Sequence, residues 1–201
     1  PPSGARGPGS LRAPAGVWPA AFDVDNALSR AFQFLQKTAR SLRLDAMKDA
    51  KSKKALSKAY IYVQRHYPDW KVATLAFMRD QAAASAHGLP DKKTLLAALK
   101  TDAASPCNAD AFKKQTKFIC QFASFMHDYA AEIGLDALED TLPFDQAHVL
   151  AESKTYFEHS LLPATPLSIE IFDLAVSPDA PGPAKKKDAA DPGKPSIYCF
   201  E

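Results

Sequence analysis

Apolar residues follow a helical period along some stretches of this chain and a strand-like pattern along others. From a cap at Asp23–Asn26, the residues Leu28, Phe32, Leu35, Ala39 and Leu42 fall on one stripe, which predicts an amphipathic helix burying that stripe. The lysine-rich run 45–58 has almost no large apolar group and is expected to be a solvated linker. Tyr60, Ile61, Tyr62 and Val63 are β-branched or aromatic, the composition of a strand with little exposed surface. Pro68 disfavours helix at Tyr67, so a turn is expected there, with Asp69 capping a helix that begins at Trp70. Trp70, Thr74, Phe77 and Gln81 mark one face of that helix, which is expected to fray at His87-Gly88. Leu89-Pro90-Asp91 opens a short helix with Leu95, Leu96 and Leu99 on its apolar face, and Ser105-Pro106 breaks it.

The longest helix is expected over 108–133. Phe112, Thr116, Ile119, Ala123, Met126, Ala130 and Ile133 form one stripe, and Phe118, Phe122, Phe125 and Tyr129 form a second beside it. Together they predict a helix packed on two sides and ended by Gly134. Phe144 and Val149 bracket Asp145 as a hydrophobic staple around an N-cap. The helix so started is expected to bury Val149, Tyr156, Phe157 and Leu161 and to stop before Pro163. Residues 167–174 and 196–200 read as strands, and the Pro-, Ala- and Lys-rich stretch 177–195 between them reads as a flexible loop.

These elements make an α+β chain, predominantly helical, with one short sheet of the strands 60–63, 167–174 and 196–200. The helix at 22–50 is expected to belong to a separate helical bundle, with 51–58 as linker and 59–201 as the α+β module. Residues 1–21 are Pro-, Gly- and Ala-rich and are expected to be disordered.

Composition narrows the function classes only a little. The chain has 201 residues, 46% hydrophobic and 24% charged, which suits a globular protein. Its net charge of +2 gives no strong prior for nucleic acid, so the placement of the cations matters more than their number. Three widely spaced cysteines are expected to be reduced thiols of an intracellular protein. No apolar run approaches the roughly 18 residues of a bilayer span, and the first residues lack the apolar region of a signal peptide. The absence of an initiator Met suggests a piece of a longer protein.

Catalytic motifs are missing from the sequence. Cys120 and His127 share a helix face but stand roughly 10 Å apart along the axis, too far for one metal ion. None of the five histidines sits in His-x-x-x-His or His-x-Gly-His, and there is no Gly-rich phosphate loop and no Gly-x-Ser-x-Gly. The chain itself is therefore expected to be non-catalytic, with no metal and no cofactor of its own. Arg30, Lys37, Arg40 and Arg43 lie around the first helix away from its apolar stripe, without a carboxylate between Arg30 and Leu44. Lys113, Lys114 and Lys117 do the same on the long helix. Such faces are either solvated or track phosphates, and both readings stay open.

Trp18-Pro19, Leu42-Arg43-Leu44, Ile61-Tyr62-Val63, Tyr67-Pro68-x-Trp70, Thr74-Leu75, Leu89-Pro90-Asp91-x-Lys93, Leu142-Pro143-Phe144-Asp145 and Pro192-Gly193-Lys194-Pro195 follow one another in a particular order. In that order and spacing, from about residue 17 to 201, the chain resembles the C-terminal part of eukaryotic cytosolic leucyl-tRNA synthetase, a class I ligase. Residues 1–16 do not match. The resemblance implies the end of an α-helical anticodon-binding bundle at 22–50 and a tRNA-contacting α+β region at 59–201. It makes Arg30, Lys37, Arg40, Arg43, Lys113 and Lys117 the candidate tRNA-binding residues. It implies tRNA-Leu, the rest of the parent synthetase and other proteins of a synthetase assembly as partners, a cytoplasmic location and no membrane contact. ATP-dependent ligation would belong to the parent's catalytic domain, which these residues do not contain. The alternative is a non-catalytic interaction or scaffold segment of a synthetase assembly.

Overall fold

The computed structural model describes residues 26–52, 56–85, 88–162 and 165–201. Expectations for residues 1–21, for His87 and for Pro163 lie outside the described residues. Among those described, seven α-helices accompany a single three-stranded sheet, so the fold is α+β and mostly helical.

The sheet has the order β2-β1-β3. Strand β1 (Lys58–Val63) runs parallel to β2 (Ser168–Asp173) and antiparallel to β3 (Ser196–Phe200). Ile61 pairs with Ile171 on one side and Ile197 on the other. Alternation along the strands separates two faces. Ala59, Ile61, Val63, Ile169, Ile197 and Cys199 enter a core shared with helix α1 (Asn26–Ser52) and with α5 (Gln146–Glu152) and α6 (Lys154–Ser160). Tyr60, Tyr62, Phe172 and Tyr198 point the other way. A second core joins α2 (Asp69–Ala84), α3 (Lys92–Thr101) and α4 (Thr116–Ile133) through Leu75, Met78, Leu95, Leu99, Ile119, Ala123 and Met126.

Several expectations are corrected. Helix α1 shares a core with the sheet instead of standing in a separate bundle, and it continues through 45–52, part of the expected linker. Its buried positions are Ala31, Phe34, Thr38, Leu42 and Ala46, while Leu28 and Phe32 are exposed. Two apolar stripes overlap on this helix, and the ring of Phe34 against Phe144, centroids 5.3 Å apart, selects the one that faces the core. Pro68 takes the N-cap position of α2, so Asp69 falls in the first turn, where its charge suits the helix dipole. The expected helix over 108–133 starts only at Thr116, after turns and a 3-10 turn Lys113–Gln115, and α1 is longer. The helix after Asp145 breaks at Ser153 into α5 and α6, which turns Tyr156 outward while Phe157 and Leu161 stay buried.

The largest correction concerns 177–195, which is folded onto the aromatic face of the sheet. It contains a short helix, α7 (Ala184–Lys187), and packs Ala180 and Ala190 against Tyr62. The Tyr62 hydroxyl donates to Pro181 O at 2.6 Å, and Gly193 N donates to Gln146 Oε1 at 3.0 Å. Small residues suit this cover because they let backbone approach the tyrosines closely.

Candidate functional site

Helix α4 buries one face fully. Ile119, Ala123, Met126 and Ala130 are buried against α2 and α3. The second aromatic stripe, expected to be packed as well, splits. Phe122 is half-buried, with its ring 5.7 Å from both Tyr67 and Trp70. Phe118 and Phe125 are 57% and 55% exposed. At about 100° per residue, Phe122 lies about 60° from the Ile119 direction while Phe118 and Phe125 lie about 100° or more away, next to Gln121 and Glu132. That offset was the signal available in the sequence.

Beside this aromatic ridge, α1, α4 and the turn 191–195 enclose a cavity of about 350 Å³. Met126, Leu142, Pro192 and Pro195 supply apolar wall, and Thr38, Ser41, Tyr67 and Tyr129 supply hydroxyls. Phe125 and Tyr129 stack with centroids 6.3 Å apart. Lys194 Nζ sits 5.8 Å from the Phe125 centroid, and Lys37 Nζ sits 4.8 Å from that of Tyr129. Both are within cation–π range. The Tyr67 hydroxyl donates to Pro192 O at 3.2 Å, and burial, reinforced by the Asp191 carboxylate, pushes its phenol pKa well up. Asp191 itself pairs with Lys71.

The predicted cations do not converge on one surface. Arg30 donates to Asp136 O at 3.3 Å, and Lys37 pairs with Glu132 at 2.9 Å, so these two stand at the C-terminal end of α4 and line the cavity. Lys113 pairs with Asp110, in the 3-10 turn before α4, and Lys117 is exposed in the first turn of α4. About 22 Å of helix separates Lys117 from Glu132. Arg40 and Arg43 are exposed on the outer side of α1. Sequence reasoning missed Tyr67, Lys71, Asp191 and Lys194 as members of one site, because the two pairs come from stretches far apart in the chain, Lys71 and Asp191 being 120 positions apart.

The histidines hold local positions: His127 Nε2 lies 3.0 Å from Pro90 O, and His148 Nε2 lies 3.5 Å from Glu152. Among the described residues no group of three or more His, Cys, Asp or Glu side chains is placed to hold a metal ion, and no helix is long and apolar enough to cross a membrane. An exposed aromatic ridge beside the separate ion pairs Lys37–Glu132 and Lys71–Asp191 suits docking of a macromolecule.

Comparison with known proteins agrees with the resemblance read in the sequence. The profile of the leucine--tRNA ligase RagD-binding domain matches residues 63–143, which include the ridge on α4. The cytoplasmic leucine--tRNA ligase of Pongo abelii is 29% identical over 195 residues, covering 92% of this chain. The chain spans 15% of the length of that relative.

Proposed function

Given the likeness to leucine–tRNA ligase, we propose that this chain is a non-catalytic interaction module of such an enzyme and that α2–α4 dock a RagD-type partner through the ridge of Phe118 and Phe125. The observation that carries the reading is the position of that ridge: two large aromatic side chains stay more than half exposed inside the segment matched to a RagD-binding domain. Exposed aromatics on a rigid helix are the usual anchors of a protein interface. ATP-dependent leucine ligation then belongs to the longer polypeptide in the cytoplasm, and these residues add a docking surface to it.

The test is capture of purified RagD by the immobilised 201-residue chain. Phe118→Ser with Phe125→Ser should weaken capture by about tenfold or more while the melting temperature stays near that of the wild type. Undiminished capture by the double variant would move the interface elsewhere. A second reading, contact with tRNA-Leu, draws on the exposed Arg40, Arg43 and Lys117. It is the weaker one because Lys37 and Lys113 are each engaged by a carboxylate. It requires a steep loss of tRNA affinity with salt, by nearly one log–log unit per phosphate contact.

A further inference from the structure

We propose that the outer face of α1 is a second docking surface, built for an acidic amphipathic segment of another protein. It lies outside the matched residues 63–143 and is independent of the ridge on α4. Arg40, Arg43, Leu44, Met47 and Lys51 fall within an arc of about 100° on the helix, over about 16 Å of its length. Leu44 is 52% and Met47 39% exposed, and the three cations around them are exposed as well. Leu42 and Ala46, fully buried between these positions, fix the helix to the sheet core, so the outer face is presented rigidly.

Charge decides the occupant. Among the described residues no ion pair involves Arg40, Arg43 or Lys51. The acids of this part of the helix are turned aside: Asp45 pairs with Lys48 at 2.9 Å, and Asp49 faces Lys186 at 3.5 Å and Cys199 N at 3.4 Å. The face is therefore purely cationic around an apolar centre. A second copy of this chain would bring like charges together, which disfavours it. A nucleic-acid backbone would satisfy the cations and leave Leu44 and Met47 unused. An amphipathic helix with carboxylates flanking leucines satisfies both, and a methionine at the centre adapts to the shape of what it meets.

The probe is a fluorescein-labelled Ala-based peptide of about 18 residues, long enough to be helical, with Leu on one face and Glu on its flanks. Anisotropy titration of the 201-residue chain should show binding at least about tenfold tighter than that of the same peptide with Lys in place of Glu. Leu44→Ser with Met47→Ser, both surface changes that leave the fold intact by circular dichroism, should weaken it by about tenfold. Arg40→Glu with Arg43→Glu should invert the Glu-over-Lys preference. Equal binding of the two peptides, or indifference to the Leu44 and Met47 changes, would overturn the proposal. So would a short single-stranded RNA that binds tighter than the peptide and is lost only in the Arg40 and Arg43 variant. Failure of the peptide to bind a longer polypeptide carrying this sequence would give the face to a neighbouring segment of the same protein and overturn it as well.

Discussion

Lys71 and Asp191 are 120 positions apart in the chain, yet their side chains form an ion pair at 2.5 Å, with 14% and 19% of each exposed. The pair fastens the folded stretch 177–195 to the first turn of α2. Lys71 Nζ also lies 5.2 Å from the Trp70 ring and 5.3 Å from Phe122, so one cation joins the stretch to the aromatic cluster. Asp191→Asn leaves this largely shielded ammonium without its counterion. The expected cost is about 1–2 kcal/mol, below the 3–5 of fully buried pairs because some solvent reaches it. The opening should be local first: trypsin should cleave at Lys185–Lys187 faster than in the wild type. An unchanged cleavage rate at equal protease would remove the pair from any role in holding 177–195.

Phe122 and Phe118 look alike in the sequence and should differ sharply on truncation. Phe122→Ala removes a ring in edge contact with Tyr67 and Trp70, an expected loss of about 2–3 kcal/mol in urea unfolding. Phe118→Ala removes a mostly exposed ring and should stay within about 0.5 kcal/mol. Equal losses would mean that the ridge is packed in solution.

These residues also mark how far local pattern reached. The strands at 60–63 and 196–200, the cap at Asp145 and the stop at Gly134 were readable because each depends on nearby chemistry: β-branched runs, a carboxylate two and three residues before free N–H groups, a glycine at φ 92°. Which of two apolar stripes faces inward is decided by partners far away in sequence. Leu28 and Phe32 on α1, and Phe118 and Phe125 on α4, have the period of buried residues but stay more than half exposed. The stretch 177–195 has the composition of a linker and is ordered by tyrosines more than a hundred positions earlier. The cavity was illegible for the same reason, since its walls come from α1, α4 and the turn 191–195.

Gly182 is where the cover over the sheet tolerates no side chain. Its φ is +104°, and a Cβ there would stand 2.0 Å from Tyr62 Oη. Gly182→Ala therefore combines backbone strain with overlap and should cost about 2–4 kcal/mol. In a Tyr62→Phe background the overlapping atom is gone and only the strain and a milder contact remain. The same substitution should then cost measurably less in a double-mutant cycle. Equal costs in both backgrounds would show that Tyr62 moves aside freely.

Asp145 ties stability to pH with a sign that can be worked out. Its carboxylate accepts from His148 N at 3.1 Å and Ala147 N at 3.0 Å, and Arg65 Nη2 lies 3.1 Å from it. The His148 N–H foremost, helped by the Arg65 charge and the Ala147 N–H, holds its pKa below the ordinary carboxylate value, and burial offsets part of that lowering. A carboxylate with a depressed folded pKa stabilises the fold fully above the ordinary value, near pH 4, and loses that contribution as pH falls through the folded pKa. Asp145→Ala should cost about 1 kcal/mol at pH 7, the usual worth of an N-cap, with little added from the exposed Arg65 pair. The gap between wild type and variant should shrink as pH drops from about 4 towards 2. Asp145→Asn keeps the acceptor but not the charge, so it should lie between the two at pH 7 and lack this acid dependence. Urea unfolding at pH 7, 4 and 3 measures all three proteins, and a wild-type advantage that stays constant to pH 3 would separate the cap from the charge.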